Sequence, residues 1–202
     1  MIQTGCRKRK RSVKAMDLFS SLLKERAETG RIYIMNVDHS NEHSSFKDKV
    51  YMSNLCQEIT LPTEPLNHID DPEAEIGICI LSAINLIEIN NDDELQKACE
   101  ITIRLLNALI DDQDYPIKAG ETFTLNRRSL GVGITNLAGF LAKNKLSYYT
   151  PESLAVVDEW MEKIQYYLLD ASCMMAEESG ACPKFDETKY AQGLCPYDWA
   201  ND

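Results

Sequence analysis

The chain has 202 residues, 44% of them hydrophobic and 26% charged, the profile of one soluble globular domain or part of a larger one. Its net charge is −11, and residues 1–15 hold six cations and no acid, so the body is more acidic still and ill suited to a nucleic-acid surface. No apolar run of about 18 residues or more occurs, which excludes an expected membrane span; the basic start lacks a following signal-type apolar stretch, so the cytoplasm is the expected location.

The cations are Arg7, Lys8, Arg9, Lys10, Arg11 and Lys14. Such a run admits a nucleic-acid patch or a nuclear signal, or more plainly a solvated helix start or frayed end. Residues 12–29 then predict a helix, with Met16, Phe19, Leu22 and Leu23 as its apolar stripe and Gly30 as its stop. "RIYIMNV", residues 31–37, predicts a mostly buried strand. "DHSNEHSSFKDK" predicts a polar loop, in which His39 and His43 admit a metal pair or a solvated loop.

"NLCQEITL" predicts an extended piece, and "PTEPLNHIDDPEAE" a loop. "IGICILSAINLIEI" predicts a buried strand entering a turn, with a buried helix as the alternative. "NNDDELQKACEITIRLLNALIDDQ" predicts a helix with Asn/Asp caps and acids in its first turn. "DYPIKAGETFTLNRRS" predicts irregular chain. There Arg127 and Arg128 admit a phosphate contact or structural salt bridges.

"LGVGITNLAGFLAKN" predicts close backbone packing that passes into a helix. A long helix follows, capped by Thr150, with Pro151 in its first turn and Gly180 at its end. Its expected core stripe is Leu154, Val157, Met161, Ile164, Leu168, Ala171 and Met175. "ACPKFDETKYAQG" predicts a turn and a short helix. The mixture defines an α/β class. About three strands are visible, too few to leave no unpaired edge, so they read as part of a larger sheet.

Seven cysteines occur, at 6, 56, 79, 99, 173, 182 and 195, with no C-x-x-C pair and no histidine cluster. That argues against zinc. In the extended reading of "SNLCQEI", Asn54, Cys56 and Glu58 share one face with neighbours roughly 6.5–7 Å apart, and Leu55 and Gln57 take the other. The amide would hold a polar group, the sulfur would react and the carboxylate would accept a proton. A carboxylate beside a thiol raises the thiol pKa, which speaks against a thiolate nucleophile. On these residues alone, a packing cysteine remains the alternative.

Seven ordered blocks then carry a resemblance: "TGRIYIMNVDHSNEHSSF", "SNLCQEITLPTEPLN", "EIGICILSAINL", "DDQDYPI", "RRSLGVGITNLAGFLAK", "IQYYLL" and "GACPKFDETKYAQG". Together they resemble the large, catalytic subunit of class I ribonucleotide reductase, of the bacterial and T-even-phage type. The likeness runs from about residue 7 to the end without a large gap. It implies a ten-stranded α/β barrel with a finger loop. By resemblance Cys56 becomes the thiyl radical that takes the 3′ hydrogen of a ribonucleotide. Glu58 takes the 3′-hydroxyl proton, and Asn54 holds the substrate hydroxyls. Leu55 belongs to the substrate-contacting stretch. Cys79 is one of two cysteines that reduce the substrate and end as a disulfide. A radical route uses a neutral thiol, so the carboxylate no longer counts against it.

The same likeness implies an incomplete unit: residues 1–202 as a partial catalytic barrel domain, with 1–15 a basic lead-in. The family subunit is several times longer, and Cys6 is a poor stand-in for its other redox cysteine. The expected partners are the remaining segments of the large subunit, a small radical-generating subunit that holds the metal, thioredoxin or glutaredoxin, and a nucleotide substrate. No cofactor or metal is expected in this chain, and no nucleic acid or membrane partner. Cys99, Cys173, Cys182 and Cys195 match no family role and are expected to pack. The chain alone is expected to be inactive and to aggregate or stay partly unfolded. Two alternatives remain, a non-catalytic α/β remnant or interaction module and a fragment of a cobalamin-dependent reductase. "TGRIYIMNVDH" and "GACPKFDETKY" favour class I over the latter.

Overall fold

A computed structural model describes residues 12–199; Cys6 and the cations before residue 12 lie outside the described residues. Helix α1 spans Ala15–Thr29 and ends on Gly30 in the left-handed region, as expected. It buries none of its residues: Met16, Phe19 and Leu23 stay exposed. Residues 31–36 form no strand, and Tyr33 and Ile34 are about half exposed, at 48% and 46%. An extended segment needs a ladder partner for its backbone groups, and no described strand lies beside it. The expected polar loop instead begins with a short helix, α2 (Val37–Glu42).

The sheet has two strands among the described residues; of the three expected only the one within residues 76–89 forms, and the other comes from residues 130–135, where close backbone packing was expected. Strand β1 (Ile80–Asn85) runs parallel to β2 (Leu130–Thr135), with Ile80 opposite Leu130 and Ile84 opposite Ile134. Strand β1 is buried on one face only: Ile84 is inside and Leu81 outside. Parallel strands need a long crossover. It is supplied by a 3₁₀ turn at Leu86–Glu88, then α3 (Asp92–Asp112) and α4 (Lys118–Arg127).

Helix α3 starts where the side chain of Asn91 accepts the amide of Glu94. It buries Leu95, Cys99, Ile103, Leu106 and Ile110 along one stripe. Helix α4 replaces the expected irregular stretch. Gly120 and two threonines give it poor intrinsic propensity, but fully buried Phe123 and Ala119 bind it to the body, so packing decides.

After β2 come α5 (Leu137–Lys143) and the long α6 (Pro151–Ser179). Thr150 and Ser153 form a reciprocal capping box, and Pro151 opens the helix. Its stripe is shifted from the expected one. Leu154 and Met161 are exposed, while Trp160, Ile164, Tyr167, Leu168 and Ala171 meet the core. That core joins β1, α3, α5 and α6 through Ile84, Leu86, Leu95, Cys99, Phe140, Leu141 and Ile164. Two 3₁₀ turns, Phe185–Glu187 and Tyr190–Gln192, and α7 (Pro196–Trp199) finish the described chain. Among the described residues no helix is long and apolar enough to cross a membrane.

Candidate active site

"SNLCQEI" is a tight turn, and the strand expected there is absent. The amide of Gln57 donates to the carbonyl of Asn54 at 3.2 Å, and Gln57 takes a left-handed φ of 62°. Asn54 holds both limbs of the turn. Its own amide reaches the carbonyl of Ile59, and its Oδ1 accepts the Ile59 amide at 3.1 Å. An asparagine side chain that satisfies nearby backbone in this way competes with a strand ladder. The Nδ2 group of Asn54 donates to Oε1 of Glu58. The two polar groups of the expected row are therefore in direct contact, closer than strand spacing would place them. Cys56 and Leu55 sit exposed at the tip between them.

Cys79 immediately precedes β1. Because the strands are parallel and Ile80 faces Leu130, the residues leading into both strands lie at one end of the sheet. There the amide of Ile80 donates to the carbonyl of Ser129. A Cβ placed on Gly131 would lie 3.5 Å from the Cys79 sulfur and 2.6 Å from Leu81 Cδ2. The close packing expected of "LGVGI" is therefore real at Gly131. The Cys79 thiol is held above its ordinary value, first by burial and then by the negative charge of Glu58. Glu58 thus bonds to Asn54 and also acts on Cys79. Asn54 and Glu58 are in direct contact with Cys56 on the turn between them, and Cys79 lies within electrostatic range of Glu58.

A shallow cleft of about 260 Å³ flanks the turn, lined by Ile34, Asn36, His39, Ser53, Gln57 and Thr60 among others. His39 faces it, and among the described residues no group of three or more His, Cys, Asp or Glu converges. Of the cysteines expected to pack, Cys99 does, and burial pushes its thiol up to about 11. Cys182 is half-buried, while Cys173 and Cys195 are exposed on α6 and near the end of the chain, so packing does not describe them.

Arg127 and Arg128 take the salt-bridge option. Arg128 pairs with Asp111 at 2.7 Å and bonds to Asn107. The Arg127 side chain is 2% exposed and meets Glu75 at 2.7 Å and Asp48 at 2.8 Å. Burial opposes its charge, but the bonds to Glu75 and Asp48 outweigh that and raise its pKa. Lys184 contacts the other oxygen of Glu75 at 3.1 Å. Sequence reasoning missed Asp48, Glu75 and Lys184. Their only signal is a buried charge requirement, which appears once the chain is folded.

The chain belongs to the ribonucleotide reductase barrel-domain family, whose model matches residues 2–202. It is 52% identical over 193 residues to the alpha subunit of ribonucleoside-diphosphate reductase from Haemophilus influenzae, covering 94% of this chain and 26% of that protein. It is 51% identical to ribonucleoside-diphosphate reductase 1 subunit alpha of Escherichia coli, with 94% of this chain and 25% of that protein covered. The alpha subunit from Enterobacteria phage T4 is 39% identical over 198 residues, covering 96% and 26%. The chain spans about a quarter of the length of these curated relatives. Nothing in the likenesses favours the cobalamin-dependent alternative.

Proposed function

We propose that this chain supplies the radical-bearing turn and one redox cysteine of a ribonucleoside-diphosphate reductase large subunit. The observation that carries the reading is the arrangement around Glu58. Its carboxylate is held by Asn54 across the turn that presents Cys56, and its charge reaches Cys79. In this reading a thiyl radical on Cys56 Sγ takes the 3′ hydrogen of the ribonucleotide and later returns one. Glu58 accepts the 3′-hydroxyl proton, and Asn54 orients the substrate hydroxyls beside Leu55. The hydroxyl replaced by hydrogen leaves as water. Two electrons come from a thiol pair, Cys79 and a cysteine outside this chain, which ends as a disulfide.

The raised pKa of Cys79 suits this route, because it keeps that thiol in the neutral S–H form, which carries a proton for the departing hydroxyl to leave as water. The radical comes from a separate metal-containing small subunit, and thioredoxin or glutaredoxin restores the thiol pair. The two described strands are part of the ten-stranded barrel, whose other strands come from further segments of the subunit. The half-uncovered face of β1 and the unburied face of α1 support that reading.

With the remaining segments and the small subunit supplied, Cys56→Ala abolishes deoxynucleotide formation. Turnover at the wild-type rate overturns the radical role. Under the same conditions Cys79→Ser stops sustained turnover and leaves nucleotide binding intact, whereas normal multiple-turnover kinetics remove Cys79 from the redox pair.

A further inference from the structure

The segment from residue 48 to residue 75 carries the whole turn, and its two ends meet at one side chain. Nη2 of Arg127 lies 2.8 Å from Asp48 Oδ2 and 2.7 Å from Glu75 Oε2. Its Nε donates to the same Glu75 oxygen at 3.0 Å. The guanidinium also lies 5.5 Å from the ring centres of Phe46 and Phe123.

The surrounding contacts point the same way. Lys184 bridges Glu75 and Glu187, and Glu187 approaches Arg127 at 3.7 Å. The chain before Asp48 is tied to the same segment: Phe46 bridges Thr188, and the amide of Lys47 donates to the carbonyl of Glu187. The outgoing limb is fixed again at fully buried Val50, whose amide and carbonyl both bond the Asn41 side chain at 2.8 Å. The returning limb is fixed where Glu64 and Glu75 exchange backbone bonds and the Ile76 amide donates to Ala119 on α4.

We infer that Arg127 is a positioning residue: it clasps both roots of the 48–75 excursion and thereby sets where the Cys56 turn stands relative to Cys79. Arg127 ends α4 two residues before Ser129, which pairs with the start of β1. One short stretch of chain thus registers the sheet end that bears Cys79 and the roots of the loop that bears Cys56. The guanidinium turns Nε and Nη2 onto Glu75 and the same Nη2 toward Asp48, so Glu75 is hydrogen-bonded while Asp48 is held by charge, and Asp48 Oδ2 and Arg127 Nη1 have no hydrogen-bond partner among the described residues; a lysine would offer only a point charge there.

The catalytic meaning of this inference rests on the reading of Cys56 given above, but the test does not need turnover. It follows amide hydrogen exchange by mass spectrometry in the chain assembled with the remaining large-subunit segments, comparing peptides that span the turn amides of Gln57 and Ile59 with peptides of α3 and α6. Arg127→Gln speeds exchange in the turn about tenfold and leaves the two helices within about twofold, because only the excursion opens. Arg127→Lys, which keeps the charge but loses the Nε–Nη2 fork on Glu75, recovers only part of the lost protection. Asp48→Asn, which frees one root at a residue whose side chain is 37% exposed, gives the same local pattern at smaller amplitude. Wild-type exchange in the turn of Arg127→Gln overturns the clasp, as does an equal rise in turn and helices, which marks a general loss of stability. Should Arg127→Gln fail to fold, wild-type turn exchange in Asp48→Asn overturns it alone. Cys56→Ala with full turnover, alongside a loosened turn here, would instead remove the catalytic reading and keep the clasp.

Discussion

The two halves of the molecule are held by different forces. Strands β1 and β2 with α3, α5 and α6 share an apolar core built of periodic stripes. Residues 31–77 have no described strand and little apolar interior. They are held by single polar contacts: Asn41 on Val50, Asn54 across its turn, Asp71 on Asn67 and Glu73, and Arg127 at the roots. Apolar packing is non-directional and tolerates small shifts, whereas hydrogen bonds and ion pairs fix direction. Under the proposed function, the half that presents Cys56 is built with the directional forces, and the half that supports it with the other.

The sharpest way to break this contrast is in the core. Leu95 is fully buried, so Leu95→Ala is expected to cost about 2–5 kcal/mol and to lower the thermal midpoint of the α3 and α6 signal. A loss below about 1 kcal/mol would mean that the packed half is looser than its stripes imply.

Next in size is a cut in the polar half. Asn41→Ala leaves the buried amide and carbonyl of Val50 without the side chain that bonds both, an expected loss of about 1–3 kcal/mol. Limited proteolysis should find new cleavage within residues 48–60 and none in α6. Uniform cleavage would show that the halves are not separable.

The smallest effect reads the site itself. Burial and then Glu58 raise the Cys79 thiol above its ordinary value of 9.0. In Glu58→Gln the charge is gone and burial remains. The pH midpoint for alkylation of Cys79 therefore moves down but stays above that value, so at a fixed mildly alkaline pH labelling becomes faster. The midpoint for Cys99, set by burial alone, does not move. An unchanged Cys79 midpoint would place Glu58 out of range.

The same contrast explains what could be read from the sequence. Helices α3 and α6 were legible, α3 with a cap among its leading Asn/Asp residues and α6 with its cap at Thr150, because a period near 3.6 and a capping side chain are local signals. Strand β1 was legible from its isoleucines, and Gly131 from its company. The turn at Cys56 was misread as extended: alternation of Asn54, Cys56 and Glu58 looks like a strand, and only the bonds of Asn54 to Ile59 and Glu58 show otherwise. Helix α4 hid behind poor propensity, and the core stripe of α6 was placed partly on the wrong face. The residue types proposed for the site were all present in the sequence. The contacts that join 48, 75, 127 and 184 were not, because pairing of distant charges leaves no periodic trace.

Gly131 carries one more consequence. A methyl group there would press on Leu81 and come within touching distance of the Cys79 sulfur. The clearance around that thiol is therefore gauged by the bare backbone of the neighbouring strand, as a jig gauges a part. A one-residue slip of β2 along β1 would replace glycine with Leu130 or Val132 beside the sulfur. The strand register thus sets which side chain stands beside the thiol, and a shift of one residue would crowd it with a branched one.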